Sequence, residues 1–562
     1  MTDSKVPKAH YAKPATIDLS QRTWPGRSIT TSPTWCAVDL RDGNQALPDP
    51  MTPEQKRSYY GLLLSIGFKE IEIGFPSASA DDFQFCRDLI ERNAIPEDVT
   101  ISVLTQAREH LIRRTMEALQ GVRRAVVHVY IATSDLHMNF VFGKTAEQTR
   151  RTALEAIRLV RELARAQPES DIGLEFSPEE FTDSNLDFVV SLCNDVIEAW
   201  DPKPGERVIV NLPATVERRL PTHYADMIEA YIARQKYPEK SVISLHAHND
   251  MGSAVAATEL ALMAGATRVE GTLFGHGERS GNVDLVTMAM NLQYLGIDTG
   301  LDFHDIEAIR DRVCELTAMP CHPRHPYAGE LVFSAFSGSH QDAIHKGLGH
   351  AEDLRKHFGG WKIPYLHIDP KDLGRSYERF IRINSQSGKG GIAYVLKQDY
   401  GVELPRALLV ELSGFVQQFA DESQREVQSR EVWEIFLKQF VRQDGPIRLV
   451  NYWPRPNADD PKVIEGEVHV DFGGRRQVLF GTAVGPIAAF VRAIRQLPVP
   501  EFVLQEYQED AIGTTADAEA ITFVRLESAS EGTFYGVGMG HNIDQAAVSA
   551  VVSSLNRMLA QG

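Results

Sequence analysis

The feature that most constrains this chain is an alternation. Eight short runs rich in β-branched and aromatic residues are each followed by a longer stretch, several of them with apolar residues at helical spacing. The runs are WCAVDL (35–40), EIEIG (70–74), TISVL (100–104), AVVHVYI (125–131), IGLEF (172–176), VIVNL (208–212), VISLHAH (242–248) and RVEGTL (268–273). Between them, residues 53–66 read as a helix opened by Thr52 as N-cap, with a proline at the first helical position. Residues 146–165 and 254–264 read as two more. Strands that alternate with helices form a parallel sheet, because a parallel neighbour is reached only by a long crossover. Eight units predict an α/β fold closed as a (β/α)8 barrel, since an open doubly wound sheet normally stops at about five to seven strands.

After residue 301 the pattern changes. At roughly 100–200 residues per domain, 562 residues suggest three or four domains. We divide the chain into an N-terminal arm (1–30), the barrel (31–301), linker subdomains (302–425) and a C-terminal domain (426–562). The last reads as α+β: a helix at 431–440, strands at 465–471 and 477–480, and a helix at 486–496. Strands at 503–507, 522–526 and 533–538 then lead to a final helix at 544–559. The order suggests two similar units, each strand-rich and then helical. GVGMG (536–540) is not a nucleotide loop, because no βαβ unit follows it; glycines at close strand packing or a turn are the plainer reading.

A net charge of -18 argues against nucleic acid or an anionic membrane as partner. Five cysteines, none in C-x-x-C spacing, argue against a disulfide scaffold and fit a reducing cytoplasm. No apolar leader and no run of about 18 apolar residues predicts secretion or membrane insertion.

In a (β/α)8 barrel, chemistry sits at the C-terminal ends of the strands. There the sequence places Arg41 and Asp42 after the first run, His128 on the fourth, and Ser177 and Glu179 after the fifth. Asn211, Pro213 and Thr215 follow on the sixth, His246 and His248 on the seventh, and Asn282 after the eighth. Residues i and i+2 of a strand face the same way, so both histidines enter one site. Asp42 comes from a strand only one removed. Two imidazoles and a carboxylate make a cation site with positions left for substrate oxygens, suited to Zn2+, Mn2+ or Mg2+. Asn282 is a partner of that site. Arg41 either stabilises developing negative charge or pairs with Asp42 or Glu72. His276 is either a further polar wall or a surface residue. Glu179 and His128 are candidate proton-handling or orienting groups.

LRDGNQAL (40–47), SPE (177–179), NLPATVE (211–217), HAHNDMG (246–252) and GERSGN (277–282) resemble the 2-isopropylmalate synthase family. The resemblance continues through 325–347, NSQSGKGG (384–391), 507–520 and 535–547, and so covers roughly residues 30–560. It implies condensation of acetyl-CoA with 3-methyl-2-oxobutanoate and water to give 2-isopropylmalate and CoA, the committed step of leucine biosynthesis. It implies a divalent metal at Asp42, His246 and His248 with Asn282 nearby, and an oxoacid pocket lined by Arg41, His128, Ser177, Glu179, Asn211, Pro213 and Thr215. It further implies a homodimer in which His340, with Tyr377 beside it, is delivered from the partner subunit. The general base is Glu179 or His340. A leucine effector is implied at Gly485, Ile487, Ala488, Tyr507, Ala511 and Ala518. The chain departs from the family pattern at Ala483 and His276, where glycine and asparagine are usual, and at Ala247, where proline is usual. Homocitrate or citramalate synthesis keeps the chemistry but changes the oxoacid; an amino-acid sensor without catalysis is the alternative of another class.

Overall fold

The computed structural model describes residue 17 and residues 22–375, 389–423, 425–442, 445–512 and 518–560. These residues form two compact units: residues up to 332 with 370–375, and residues 333–369 with 376 onward.

In the first unit eight parallel strands close on themselves in sequence order: β1 (Thr34–Ala37), β2 (Glu70–Gly74), β3 (Thr100–Gln106), β4 (Arg124–Ala132), β5 (Asp171–Glu179), β6 (Val208–Ala214), β7 (Ser241–Ala247) and β8 (Arg268–Gly271). β1 pairs with both β2 and β8, which completes the barrel. Around it run α1 (Pro53–Ile66), α2 (Ala80–Glu91), α3 (Glu109–Ala118), α4 (Ala146–Arg165), α5 (Leu186–Trp200), α6 (Pro221–Arg234), α7 (Ala254–Met263) and α8 (Leu285–Tyr294), with α9 (Ile306–Thr317) following.

Local chemistry fixes the helix ends. Thr52 caps α1 in a reciprocal box with Gln55, and Gly67 ends the helix at φ 112°, a conformation that favours glycine. Thr145 and Gln148 repeat the device at α4. Trp24 is buried, and its indole N–H donates to Asp226 on α6 at 2.9 Å, while Arg22 pairs with the same carboxylate. The described end of the N-terminal arm is therefore fastened to the barrel.

The barrel interior carries a charged layer beneath its mouth. Arg268, 1% exposed, reaches Glu270, Glu175, Ser244 and Glu70. A buried guanidinium persists only when its donors are met by acceptors, and here carboxylates from three strands meet them.

One strand differs from expectation. β1 ends at Ala37 rather than running to Leu40, and Asp39–Gly43 form one wide π-turn, with the amides of Asp42 and Gly43 both donating to the Val38 carbonyl. That turn, and not a straight strand, places Arg41 and Asp42.

In the second unit, α10 (Gly338–Gly349) and α11 (Ala351–Phe358) precede α12 (Lys389–Tyr400), α13 (Arg406–Ser423) and α14 (Ser429–Phe436). The helix read at 431–440 ends earlier, its last turn widening to a π-turn at Leu437–Val441. Two three-stranded antiparallel sheets follow. β9 (Ile447–Pro456), β10 (Val463–Phe472) and β11 (Arg475–Val484) lead to α15 (Pro486–Ile494). β12 (Val503–Ile512), β13 (Glu519–Ser528) and β14 (Gly532–Gly540) lead to α16 (Ile543–Leu559). The strand-then-helix repeat is present in both halves.

Two glycines of GVGMG, Gly536 and Gly538, serve close packing: a Cβ on Gly538 would lie 1.9 Å from the Ala546 carbonyl oxygen of α16. Gly481 plays the same part in the first half, where a Cβ would lie 2.1 Å from the carbonyl oxygen of Ala489 on α15. The five cysteines are free thiols. No described helix is long and apolar enough to cross a membrane.

Candidate functional site

The mouth of the barrel opens into a cavity of about 230 Å³ lined by residues from the strand ends and the loops that follow them. Asp42 comes from the π-turn after β1. His246 lies on β7, and His248 lies just past it, held by a bridge to Asn282 and by its amide donating to the Ala214 carbonyl at 3.2 Å. The two imidazole rings are 5.3 Å apart, centre to centre. Oδ2 of Asp42 stands 3.7 Å from Nε2 of each histidine.

Those separations are too long for hydrogen bonds and right for three ligands of one ion, at roughly 2.0–2.2 Å each. The potential ligand atoms all lie within 4.8 Å of one another. The surrounding charge agrees. Four buried carboxylates (Asp42, Glu72, Glu175, Glu270) face two buried guanidiniums, Arg41 and Arg268. The carboxylates outnumber the guanidiniums, although burial holds Glu175 toward its neutral form.

Electrostatics spread the excess unevenly. Burial works against ionised Asp42, but the Arg41 guanidinium and the two imidazoles hold it well below the usual carboxylate range. Burial likewise disfavours a charged His246, yet the neighbouring Asp42 carboxylate and its hydrogen bond to Glu270 raise it to about 9. Burial and the neighbouring His246 charge push His248 down to about 4. Glu175 is driven well up by burial despite the nearby Arg268.

Every proposed group of the barrel reaches this region. Arg41 pairs with both Asp42 and Glu72, which is the ion-pair alternative drawn from the sequence; it also lines the cavity. Asn282 donates to Asp42 Oδ2 at 2.7 Å and to the His276 carbonyl at 2.9 Å, so it touches the centre through Asp42. His276 itself is half-buried, and desolvation lowers its pKa to about 4.

His128 lies between Glu72, 3.0 Å from Nδ1, and Ser177, 2.7 Å from Nε2. Asn211 donates to Ser177 at 3.0 Å. Pro213 and Thr215 line the cavity beside them, and Thr215 Oγ1 accepts from the Glu180 amide at 2.9 Å. Glu179 ends β5; burial raises its pKa, and its carboxylate makes no hydrogen bond among the described residues.

The remaining expected groups lie elsewhere. His340 is on α10 of the second unit, its ring stacked on Tyr365 with centres 3.9 Å apart. Tyr377 lies outside the described residues. Gly485, Ile487 and Ala488 form the start of α15, with Gly485 at φ 95° as its N-cap. Tyr507 and Ala511 lie on β12 and Ala518 just before β13, while residues 513–517 between them lie outside the described residues.

Sequence reasoning missed two things. Phe75, Leu104 and Tyr130 give the cavity an apolar wall. Glu270, on β8, joins His246 to Asn211. The signal for Glu270 was present: a carboxylate in the middle of a strand buried on both faces must have partners.

Comparison with known proteins agrees along the whole chain. Residues 32–313 match the HMGL-like family, residues 330–397 the alpha-isopropylmalate synthase post-catalytic domain-like family, and residues 426–559 the LeuA allosteric (dimerisation) domain. The chain is 48% identical over 562 residues to a protein of Ralstonia nicotianae named 2-isopropylmalate synthase, covering 99% of this chain and 96% of that one. Proteins of the same name from Rhodospirillum rubrum and Azotobacter vinelandii are each 46% identical, over 98% and 99% of this chain and 99% and 98% of theirs.

Proposed function

The chain belongs to the 2-isopropylmalate synthase family, and from that premise we propose how the barrel mouth carries out the reaction. The enzyme condenses acetyl-CoA with 3-methyl-2-oxobutanoate and water, giving 2-isopropylmalate and CoA, the committed step of leucine biosynthesis. The observation that carries the site assignment is the convergence of Asp42, His246 and His248 on one point.

These three residues hold a divalent cation, with Asn282 fixing Asp42. The cation supplies Lewis-acid polarisation of the oxoacid carbonyl. Glu179, its carboxylate free of hydrogen bonds among the described residues and its pKa raised by burial, takes a proton from the acetyl methyl group. The resulting carbanion attacks C2 of the oxoacid, forming the new carbon–carbon bond. Arg41, on the cavity wall, faces the negative charge that develops on the former carbonyl oxygen. Water then cleaves the thioester C–S bond, releasing CoA and making the sequence irreversible. His340 of a second subunit, with Tyr377, completes the site in a dimer. The C-terminal domain binds leucine through the residues around Gly485 and Tyr507, and the enzyme works in the cytoplasm.

The cavity favours 3-methyl-2-oxobutanoate over the alternatives. The second carboxylate of 2-oxoglutarate needs a free cation, but Arg41 is paired with Asp42 and Glu72, and Arg279 with Asp250. Phe75, Leu104 and Tyr130 instead offer apolar surface to an isopropyl group. The test is CoA thiol release from acetyl-CoA with 3-methyl-2-oxobutanoate, pyruvate or 2-oxoglutarate, with and without chelator and leucine. Release that is greatest with 3-methyl-2-oxobutanoate and abolished by chelation is expected. Preference for 2-oxoglutarate, or indifference to chelation, contradicts the reading.

A further inference from the structure

We propose that Glu270 is a positioning residue that sets two separate parts of the site at once, turning His246 Nε2 toward the cation position and the Asn211 carbonyl oxygen out of the hydrogen-bond chain beneath the cavity. The inference rests on the cation reading above.

Glu270 is 1% exposed on β8. Its Oε1 accepts from Arg268 at 2.7 Å, and its Oε2 accepts from His246 Nδ1 at 2.8 Å and from Asn211 Nδ2 at 3.0 Å. A carboxylate offers acceptors only. His246 must therefore carry a proton on Nδ1, which makes Nε2 the nitrogen directed at the point it shares with Asp42 and His248. A carboxylate or carbonyl on the far side of a metal-bound histidine fixes its tautomer and ring orientation in this way. Asn211 must turn its NH2 group toward Glu270, because the other flip would set oxygen against oxygen. Its Oδ1 is buried and has no hydrogen-bond partner among the described residues, on a residue that lines the cavity.

Glu270 is also one link in a longer chain. The Asn211 NH2 group donates to Ser177, which meets His128; His128 meets Glu72, Glu72 meets Arg41, and Arg41 meets Asp42. One run of hydrogen bonds thus passes round the barrel from the His246 ligand to the Asp42 ligand. Glu270 stands where the run reaches His246.

Glu270→Gln keeps the shape and changes the chemistry. Its three hydrogen-bond partners, Arg268, His246 and Asn211, are all donors, so the new NH2 faces either Arg268 or the His246–Asn211 pair. The experiment measures Mn2+ binding to the full-length, metal-free chain by the loss of free-ion EPR signal, together with kcat and the KM for 3-methyl-2-oxobutanoate. The expected result is Mn2+ binding weaker by about 10–100-fold in E270Q. Saturating Mn2+ should then recover much of kcat but not the raised KM, because Asn211 remains misoriented. A general loss of structure would not split the two constants in this way. Mn2+ affinity and KM both within about twofold of the unaltered chain overturn the proposal. Should E270Q fail to fold, Glu270→Asp is read by the same criteria, since it keeps charge for Arg268 but withdraws one methylene from His246. Failure of the unaltered chain to bind Mn2+ overturns the cation reading itself, whereas tight binding by both chains overturns only the role of Glu270.

Discussion

Gly281→Ala separates the geometry of the metal centre from the stability of the fold. Gly281 sits at φ 96° in the loop after β8, and a Cβ there would lie 1.8 Å from the Gly275 carbonyl oxygen. Its own carbonyl accepts from the Asn249 amide at 3.0 Å, and the next residue, Asn282, holds Asp42 at 2.7 Å. Reaching even a 3.0 Å contact requires the loop to open by more than about 1 Å, and the displacement falls on Asn282. A shift of that size at a catalytic group costs roughly 100-fold in rate. The positive φ adds about 1–2 kcal/mol of backbone strain. Gly121→Ala is the control: φ is 78°, no atom lies within 4 Å of the added Cβ, and the residue is at the opposite end of the barrel between α3 and β4. The assay is thiol release, with thermal unfolding followed in parallel. Both variants should lose stability to the positive φ, G281A by more because of its clash, with G281A alone losing about 100-fold in kcat/KM. G281A turnover within about threefold of G121A would refute the reasoning.

The apolar wall and the base give two further predictions. Leu104→Ala removes surface against the isopropyl group, so kcat/KM for 3-methyl-2-oxobutanoate should fall about 10-fold or more relative to pyruvate, measured by competing the two oxoacids; an unchanged ratio would exclude Leu104 from substrate contact. Burial raises the Glu179 pKa above its ordinary 4.5, so the charged, basic form is lost as pH falls through a value higher than 4.5. The acid limb of the kcat/KM profile should therefore have its midpoint above 4.5 and lose that ionisation in Glu179→Gln; retention of the same limb would assign the base elsewhere.

Legibility in the sequence followed the range of the forces involved. α1 and α4 could be bounded from sequence because capping is local: Thr52 with Gln55, and Thr145 with Gln148, lie three residues apart. β1 was over-extended because nothing in WCAVDL marks the point where the chain leaves the sheet for a π-turn. β9 was missed; it carries Pro454 and Pro456, which cannot donate to a ladder, but it is an edge strand of its sheet, where a missing N–H is tolerated. In the site, Asp42, His246 and His248 stood out because polar residues at strand ends are costly without a purpose. Phe75, Leu104 and Tyr130 did not, since an apolar residue near a strand end looks the same whether it faces core or substrate. Glu270 was visible as a charge inside a buried strand, but its partners His246 and Asn211 lie 24 and 59 residues away.

The account stands on where the cation binds. Crystals grown with Mn2+ and measured at its absorption edge locate the ion by anomalous scattering. A single strong peak bonded to Asp42 Oδ2, His246 Nε2 and His248 Nε2 is the predicted result. A peak instead on the buried group of His128, Glu175 and Glu270, the other cluster among the described residues whose ligand atoms converge, would contradict it.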